Sequence, residues 1–424
     1  MGTVQDAGHT RRKRWSGKDI LLTVTDVLFM LWVFTEAVIP HTKIAQAVLA
    51  LTMLAALAVT LERRKVFLSY WMVFAALLIV WNALGILFWS IDTQVAMQAV
   101  QTHLVNFVFF VLLFQYFIHR GDFERIITLY LFAFIAVVLY IFFKSGPSNI
   151  LDERFGWLIY INANKVGILT TFALAFSLYK VLHKRYWALL PLAVTIIVEI
   201  LALSFTALAG AAVVVVATIL IAWPKHWPLK LLGLFAVGIG ALVLLVQFWP
   251  LAKWKYDITM AALKTPPQMY GTSIEHRRWL IQFGLENFSK RPFTGYGSNC
   301  FYLLEGQARG NAGTYAHNNV IELLVDGGIV QLVLYYAVSV FALIRAFRHG
   351  ESGLTMRKML GILYIAMLFM EIGTVACFSR SYLVIPILLI AASFSQEPDG
   401  KWLQRDFLRV RRATPETTEK TKVV

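Results

Sequence analysis

Residues 261–330 read AALKTPPQMYGTSIEHRRWLIQFGLENFSKRPFTGYGSNCFYLLEGQARGNAGTYAHNNVIELLVDGGIV. They form the long polar interruption in a chain that is otherwise a succession of apolar runs. The stretch holds a basic pair (Arg277, Arg278), a glycine turn (Gly295, Tyr296, Gly297) and a His-Asn-Asn triplet (His317, Asn318, Asn319). On either side apolar runs recur at about 20 residues, the length that crosses a hydrocarbon core as a helix. The reading is an all-α polytopic membrane protein, with this stretch outside the bilayer at the mouth of a helix bundle.

Composition points the same way. Of 424 residues, 58% are hydrophobic and 15% charged, more apolar surface than a soluble core can use. The thirteen Trp and sixteen Tyr suit interfacial belts. The net charge of +15 could suggest nucleic acid. The basic residues instead stand in short clusters between apolar runs, as the positive-inside rule requires, so no nucleic-acid partner is expected. Two cysteines, Cys300 and Cys377, are too few for a disulfide framework. Residues 1–18 are polar and basic, with no cleavage-type site after a short apolar run, so no removed signal peptide is expected.

Working outward gives twelve spans. Five precede the outer loop SGPSNILDERFGWLIYINANKVG: 20–39, 44–61, 66–89, 96–118 and 126–143. The sixth is 167–182. The apolar run 187–223 is too long for one span and folds at 204–206 into the seventh and eighth. The ninth is 231–250, and 329–347, 359–378 and 381–394 follow the long loop. Basic clusters from Arg11–Arg14 to the tail residues Arg405, Arg409, Arg411 and Arg412 place both ends in the cytoplasm. The chain divides into a cytoplasmic N-terminus (1–19), helices one to nine (20–250), an extracytoplasmic loop (251–328), helices ten to twelve (329–396) and a cytoplasmic tail (397–424). Residues 251–316 carry eight Lys or Arg against four Asp or Glu. Long exported loops escape the charge rule, so these cations are free for a ligand.

Residues 317–347 would span about 46 Å as one helix, against a core of about 30 Å. Gly327 and Gly328 offer a break, leaving 317–326 as a short outer helix. Free N–H groups and the dipole at its start favour an anion, and His317 could serve as a general base. Local sequence alone favours the simpler reading, a capping Asn318 and a solvated His317. Arg277 and Arg278 match phosphate oxygens or snorkel to headgroups. Trp279, Leu280, Phe283, Leu285 and Phe288 point to an interfacial amphipathic helix carrying them. The Gly295-Tyr296-Gly297 turn is weak evidence for a phosphate cradle. Arg154, beside Asp152 and Glu153, reads alone as a surface arginine. Glu36, Glu199 and Glu371 must face the bundle interior, with hydrogen bonding their expected role. No metal-ligand, nucleophile-elbow or Walker spacing occurs.

Together these residues resemble a known family. The run Arg277…Lys290-Arg291-Pro292-Phe293-Thr294-Gly295-Tyr296-Gly297-Ser298-Asn299-Cys300-Phe301, then His317-Asn318-Asn319-Val320-Ile321-Glu322-Leu323-Leu324-Val325-Asp326-Gly327-Gly328-Ile329, is similar to the O-antigen ligase and Wzy-type polysaccharide polymerase superfamily. The resemblance implies a GT-C-like fold of about 12 transmembrane helices. It implies a bacterial cytoplasmic-membrane glycosyltransferase with its site facing the periplasm or cell exterior. Such an enzyme moves a glycan from undecaprenyl diphosphate to a sugar hydroxyl with inversion, using no metal or nucleotide sugar. Arg277 and His317 fall at the family's catalytic positions. Arg154 and Gly156, followed by Asn162 and Asn164, resemble its earlier outer segment. Further substrate contacts are expected from Arg278, Asn318, Lys165, Tyr296 and Glu322. One departure stands out: the family's Ser-Arg pair at the start of the eighth span reads Leu203-Ser204-Phe205-Thr206 here. The missing diphosphate contact is expected from Lys165, Arg278 or Arg380. The tryptophan usual four residues after the loop arginine is Ile281.

The short loop between Arg277 and His317 resembles polymerases of lipid-linked repeat units more than ligases acting on lipid A core. A protein O-oligosaccharyltransferase ranks third. Implied partners are membrane lipid, a flippase and a chain-length regulator. A lipid-linked glycan transporter is the reading from another class. Transporters place polar sites at the midplane of repeated halves, whereas polarity here gathers in the loops and no halves repeat.

Overall fold

The computed structural model describes residues 17–223, 225–348 and 353–395. The arginines at 11–14 and the tail from 397 lie outside them. Fifteen α-helices and no strand occur among the described residues. They are α1 (Gly17–Val38), α2 (Lys43–Arg63), α3 (Tyr70–Phe88), α4 (Thr93–Arg120) and α5 (Phe123–Ser145). Next come α6 (Ala163–Leu182), α7 (Leu189–Ala202), α8 (Phe205–Ala222) and α9 (Trp227–Phe248). The long loop folds into α10 (Pro250–Lys264), α11 (Ser273–Lys290) and α12 (Phe301–Arg309). The chain finishes with α13 (Asn319–Phe347), α14 (Met356–Met370) and α15 (Arg380–Ser395).

Each of the twelve expected spans falls on a helix. Among the described residues nine helices are long and apolar enough to cross a membrane. The other three, α7, α14 and α15, have 14, 15 and 16 residues, short of the roughly 20 that a perpendicular span needs. The third helix starts later than expected, at Tyr70 rather than 66. Phe67 lies outside it because the Gln115 amide holds its backbone: Phe67 N donates to Oε1 at 2.8 Å and Nε2 donates to Phe67 O at 2.7 Å.

Helix ends carry local causes. Asp92 caps α4 through the Gln94 and Val95 N–H groups at 2.9 and 3.0 Å, and Gly121 closes it with φ +64°. The run 187–223 breaks where Leu203 turns left-handed (φ +44°) and Ser204 caps α8. α6 is the most enclosed spanning helix and α9 has no buried residue. Small residues explain the enclosure: a methyl on Gly167 would lie 2.6 Å from the Ala207 Cβ, so α6 and α8 meet backbone to backbone. Thr170 and Thr171 bond carbonyls one turn back, at 2.8 and 3.1 Å. α9 is apolar all round, as a lipid-facing helix should be.

α13 is two helices joined at Gly327 and Gly328, whose φ/ψ are non-helical. A break in a helix frees carbonyls, and buried ones need donors. Tyr296 N takes Val325 O at 2.9 Å, Gly297 N takes Asp326 O at 2.8 Å, and Trp81 Nε1 takes Gly327 O at 2.9 Å. The glycine turn at 295–297 therefore locks the break. At Gly328, φ is +69° and a Cβ would stand 2.2 Å from the Phe293 carbonyl oxygen, so only glycine fits.

Candidate functional site

α11 starts with a capping box between Thr272 and Glu275. Hydrogen bonds from the Thr265 hydroxyl and the Thr272 backbone hold the Glu275 carboxyl below its usual range. Arg278 then faces α10, its Nη1 donating to Ala262 O at 3.3 Å and Thr265 O at 2.8 Å. Adjacent helical residues point about 100° apart, which turns Arg277 the other way. Arg277 reaches the segment between α14 and α15, where Nη1 makes a long contact with Gly373 O at 3.4 Å. Its Nε is buried without a partner.

Arg154 comes from the segment before α6. Its Nε donates to Ala202 O at 2.9 Å and its Nη2 to Asn164 Oδ1 at 2.8 Å. Asn162 caps α6 through the Asn164 N–H at 2.9 Å. Lys255, on α10, carries its Nζ 5.4 Å from the centre of the Phe205 ring, the first residue of α8. Thr206 follows, against Gly373: a Cβ there would be 2.4 Å from Thr206 Oγ1. Arg154, Lys255 and Arg277 thus gather around the start of α8. They feel one another. Burial and then the Arg277 charge pull the Arg154 guanidinium down from its ordinary range. Burial, Arg154 and Arg277 bring the Lys255 amine down to about 8. Among the described residues no carboxylate lies within ion-pair distance of any of the three.

His317 is held from both sides. Glu305 accepts from Thr314 N at 2.8 Å and Glu322 accepts from Ala316 N at 2.6 Å. Asn318 caps α13, its Oδ1 accepting from Val320 and Ile321 N–H at 3.0 and 3.1 Å. His317 itself sits at φ +53°, with its ring centre 4.1 Å from that of Tyr315. Burial, then the charges of Arg277 and His276, lower the imidazole to about 4. It is neutral near pH 7 and able to accept a proton. Asn319, fully buried, latches α13 to the segment after α14: its Oδ1 accepts from Ala376 and Cys377 N–H, and its Nδ2 donates to Glu371 Oε2 at 3.0 Å.

The structure therefore brings Arg277, Arg154 and Asn164 to one place and sets His317 beside Arg277. The other expected contacts are engaged in bonds within the protein. Arg278 ties α11 to α10. The Tyr296 ring is buried in the loop core, and its hydroxyl donates to Asn287 O at 3.3 Å. Glu322 and Asn318 serve the backbone around His317. Lys165 donates to Glu36 O at 2.6 Å. Arg380 pairs with Glu36 at 3.8 Å and donates to Asn106 Oδ1 at 2.8 Å. Glu199 and Glu371 are buried and Glu36 half-buried, as interior glutamates must be. Sequence reasoning missed Lys255, one of two lysines in PLAKWKYD. The signal available was the proline that starts a helix directly after the ninth span.

A search of the curated proteins finds no match. Residues 190–336 match the family model described as O-antigen ligase. The match runs from α7 into α13 and takes in Lys255, Arg277 and His317, while Arg154 lies ahead of it. Over residues 190–336 this all-helical membrane protein is thus similar to the O-antigen ligase family.

Proposed function

We propose that this protein is a bacterial membrane glycosyltransferase that polymerises lipid-linked repeat units of a surface polysaccharide. It would act at the extracytoplasmic face of the cytoplasmic membrane, alongside a flippase and a chain-length regulator. The observation that carries this reading is the pair Arg154 and Arg277, without a counter-acid, beside a half-buried, neutral His317. A diphosphate leaving group gains charge as its bond to the sugar breaks, and fixed cations lower that barrier. The acceptor hydroxyl oxygen forms the new bond to the anomeric carbon. The bond from that carbon to the diphosphate oxygen breaks, and its electron pair stays on the diphosphate against the two guanidinium groups. The hydroxyl proton passes to the His317 imidazole. Attack opposite the leaving group inverts the anomeric centre.

The family description over residues 190–336 favours a second reading, a ligase that transfers the finished glycan to lipid A core. One experiment separates them. Purified protein in nanodiscs is given a synthetic undecaprenyl-diphosphate-linked repeat unit and no other acceptor. The polymerase reading expects a ladder of lipid-linked oligomers, lost in His317→Ala and Arg277→Ala. Transfer only after lipid A core is added would establish the ligase. Movement of the lipid-linked glycan across the bilayer without any new glycosidic bond would overturn both in favour of a transporter.

A further inference from the structure

α10 carries three aromatic or basic residues in a row, and they part company. Lys253 and Trp254 are exposed, but Lys255 is half-buried against α8. A surface lysine ordinarily extends its amine into water. Lys255 instead lays its amine over the Phe205 ring at 5.4 Å, a cation–π contact, within electrostatic reach of Arg154 and Arg277. Three like charges drawn together without an acid oppose folding unless an anion joins them. The start of α8 has no cation of its own, reading Ser204-Phe205-Thr206. The other basic residues near it are engaged elsewhere: Arg278 on two carbonyls, Lys165 and Arg380 on Glu36.

We propose that Lys255 is the third cation of the diphosphate site, supplying from α10 the positive charge that the start of α8 lacks. The inference rests on the reading of the site as a diphosphate-lipid site. Arg277 and Arg154 would then grip the phosphates from α11 and from the segment before α6, with Lys255 closing the α8 side. Phe205 acts as the platform that sets the amine's position. Burial and the two arginines leave Lys255 titrating at about 8, so its charge is present at neutral pH and lost above it. The charged groups that bear on it are Arg277 from α11 and Arg154, while α8 presents Phe205.

The test uses the full chain in nanodiscs, with undecaprenyl diphosphate and undecaprenyl monophosphate as binding probes and transfer of the lipid-linked repeat unit as activity. Lys255→Met is expected to weaken diphosphate binding by about tenfold or more, with a smaller loss for the monophosphate, as loss of one charge-assisted contact would. Lys255→Arg is expected to restore it. Phe205→Arg in the Lys255→Met background, which returns a guanidinium to the same place from α8, should recover part of the loss. Lys253→Met, two residues away and exposed, should change nothing. Wild-type kcat/KM should fall as pH rises past about 8, and Lys255→Arg should move that fall upward. Wild-type binding by Lys255→Met, or equal losses for both lipids with an earlier melt and no rescue by arginine, would overturn the assignment. If transfer disappears in Arg277→Ala but not in Lys255→Met, only the lysine falls. If wild type neither binds the diphosphate lipid nor transfers its glycan, the diphosphate reading and the lysine fall together.

Discussion

The helix α5 has arginines near both of its ends, and the two ends treat them differently. Where α4 hands over to α5, Asp26 of α1 sits 1% exposed between Arg120 at 3.2 Å and Arg125 at 2.6 Å. The Tyr116 hydroxyl donates to the same carboxylate at 2.5 Å. Lys180 pairs with Glu124 at 3.1 Å beside them. Past the other end of α5, Arg154, Lys255 and Arg277 gather with no carboxylate in range among the described residues. Paired cations hold helices together. Unpaired ones, brought together against their own repulsion, leave their charge uncompensated, which is what the proposed diphosphate site requires. The difference explains why the same residue types read as scaffold at one end and as site at the other.

The largest effect should come from breaking the unpaired side. Arg277→Ala is expected to cut transfer by about a hundredfold to a thousandfold, the scale of removing one fixed donor to developing charge. Its melting temperature should barely move, because its hydrogen bond to Gly373 O is long at 3.4 Å; a large drop in melting temperature would make Arg277 structural after all. The paired side should behave in the opposite way. Asp26→Asn is expected to destabilise the protein by about 3 kcal/mol, the low end for breaking a buried pair, since Arg125 stays partly exposed. Folded Asp26→Asn should keep its affinity for the diphosphate lipid, checked by binding at low temperature. Gly328→Ala tests the scaffold under His317. It is expected to cost about 2 kcal/mol through left-handed strain and the clash with Phe293 O, read as a lower melting temperature with activity reduced in step.

Acidification probes the histidine more gently. Its folded pKa near 4 leaves it unprotonated at neutrality. Activity should hold down to about pH 5 and then fall about tenfold per unit below pH 4, as the base becomes protonated. A fall already centred near pH 6.5 would show an imidazole in water rather than one half-buried beside Arg277. The smallest effect belongs to Arg278→Ala. It removes two bonds to carbonyls at the end of α10, those of Ala262 and of Thr265 just past it, and should cost about 1 kcal/mol of stability, with transfer close to wild type once folded. Equal losses of transfer in Arg277→Ala and Arg278→Ala would erase the distinction between neighbours.

Much of this was legible in the chain. Span positions, the break at Gly327 and Gly328, the split at 204–206 and the amphipathic α11 all follow from local causes. Apolar length, glycine's backbone freedom and helical period act within a few residues, so the sequence carries them directly. Arg277 and His317 could be named from their motif, but not what surrounds them. That Arg277 rather than Arg278 turns to the site depends on where α10 packs. That Tyr296, Asn318 and Glu322 serve the backbone depends on carbonyls and N–H groups freed elsewhere. Lys255 was invisible because its meaning lies in what is missing around it. Arg154, Lys255 and Arg277 come together across long separations in the chain, and only packing sets those distances. The sequence by itself determined where helices form and which polar stretch interrupts them. Tertiary structure alone decided which charges find acids and which do not, because Coulomb interactions depend on separation in space and on burial, neither of which local sequence encodes.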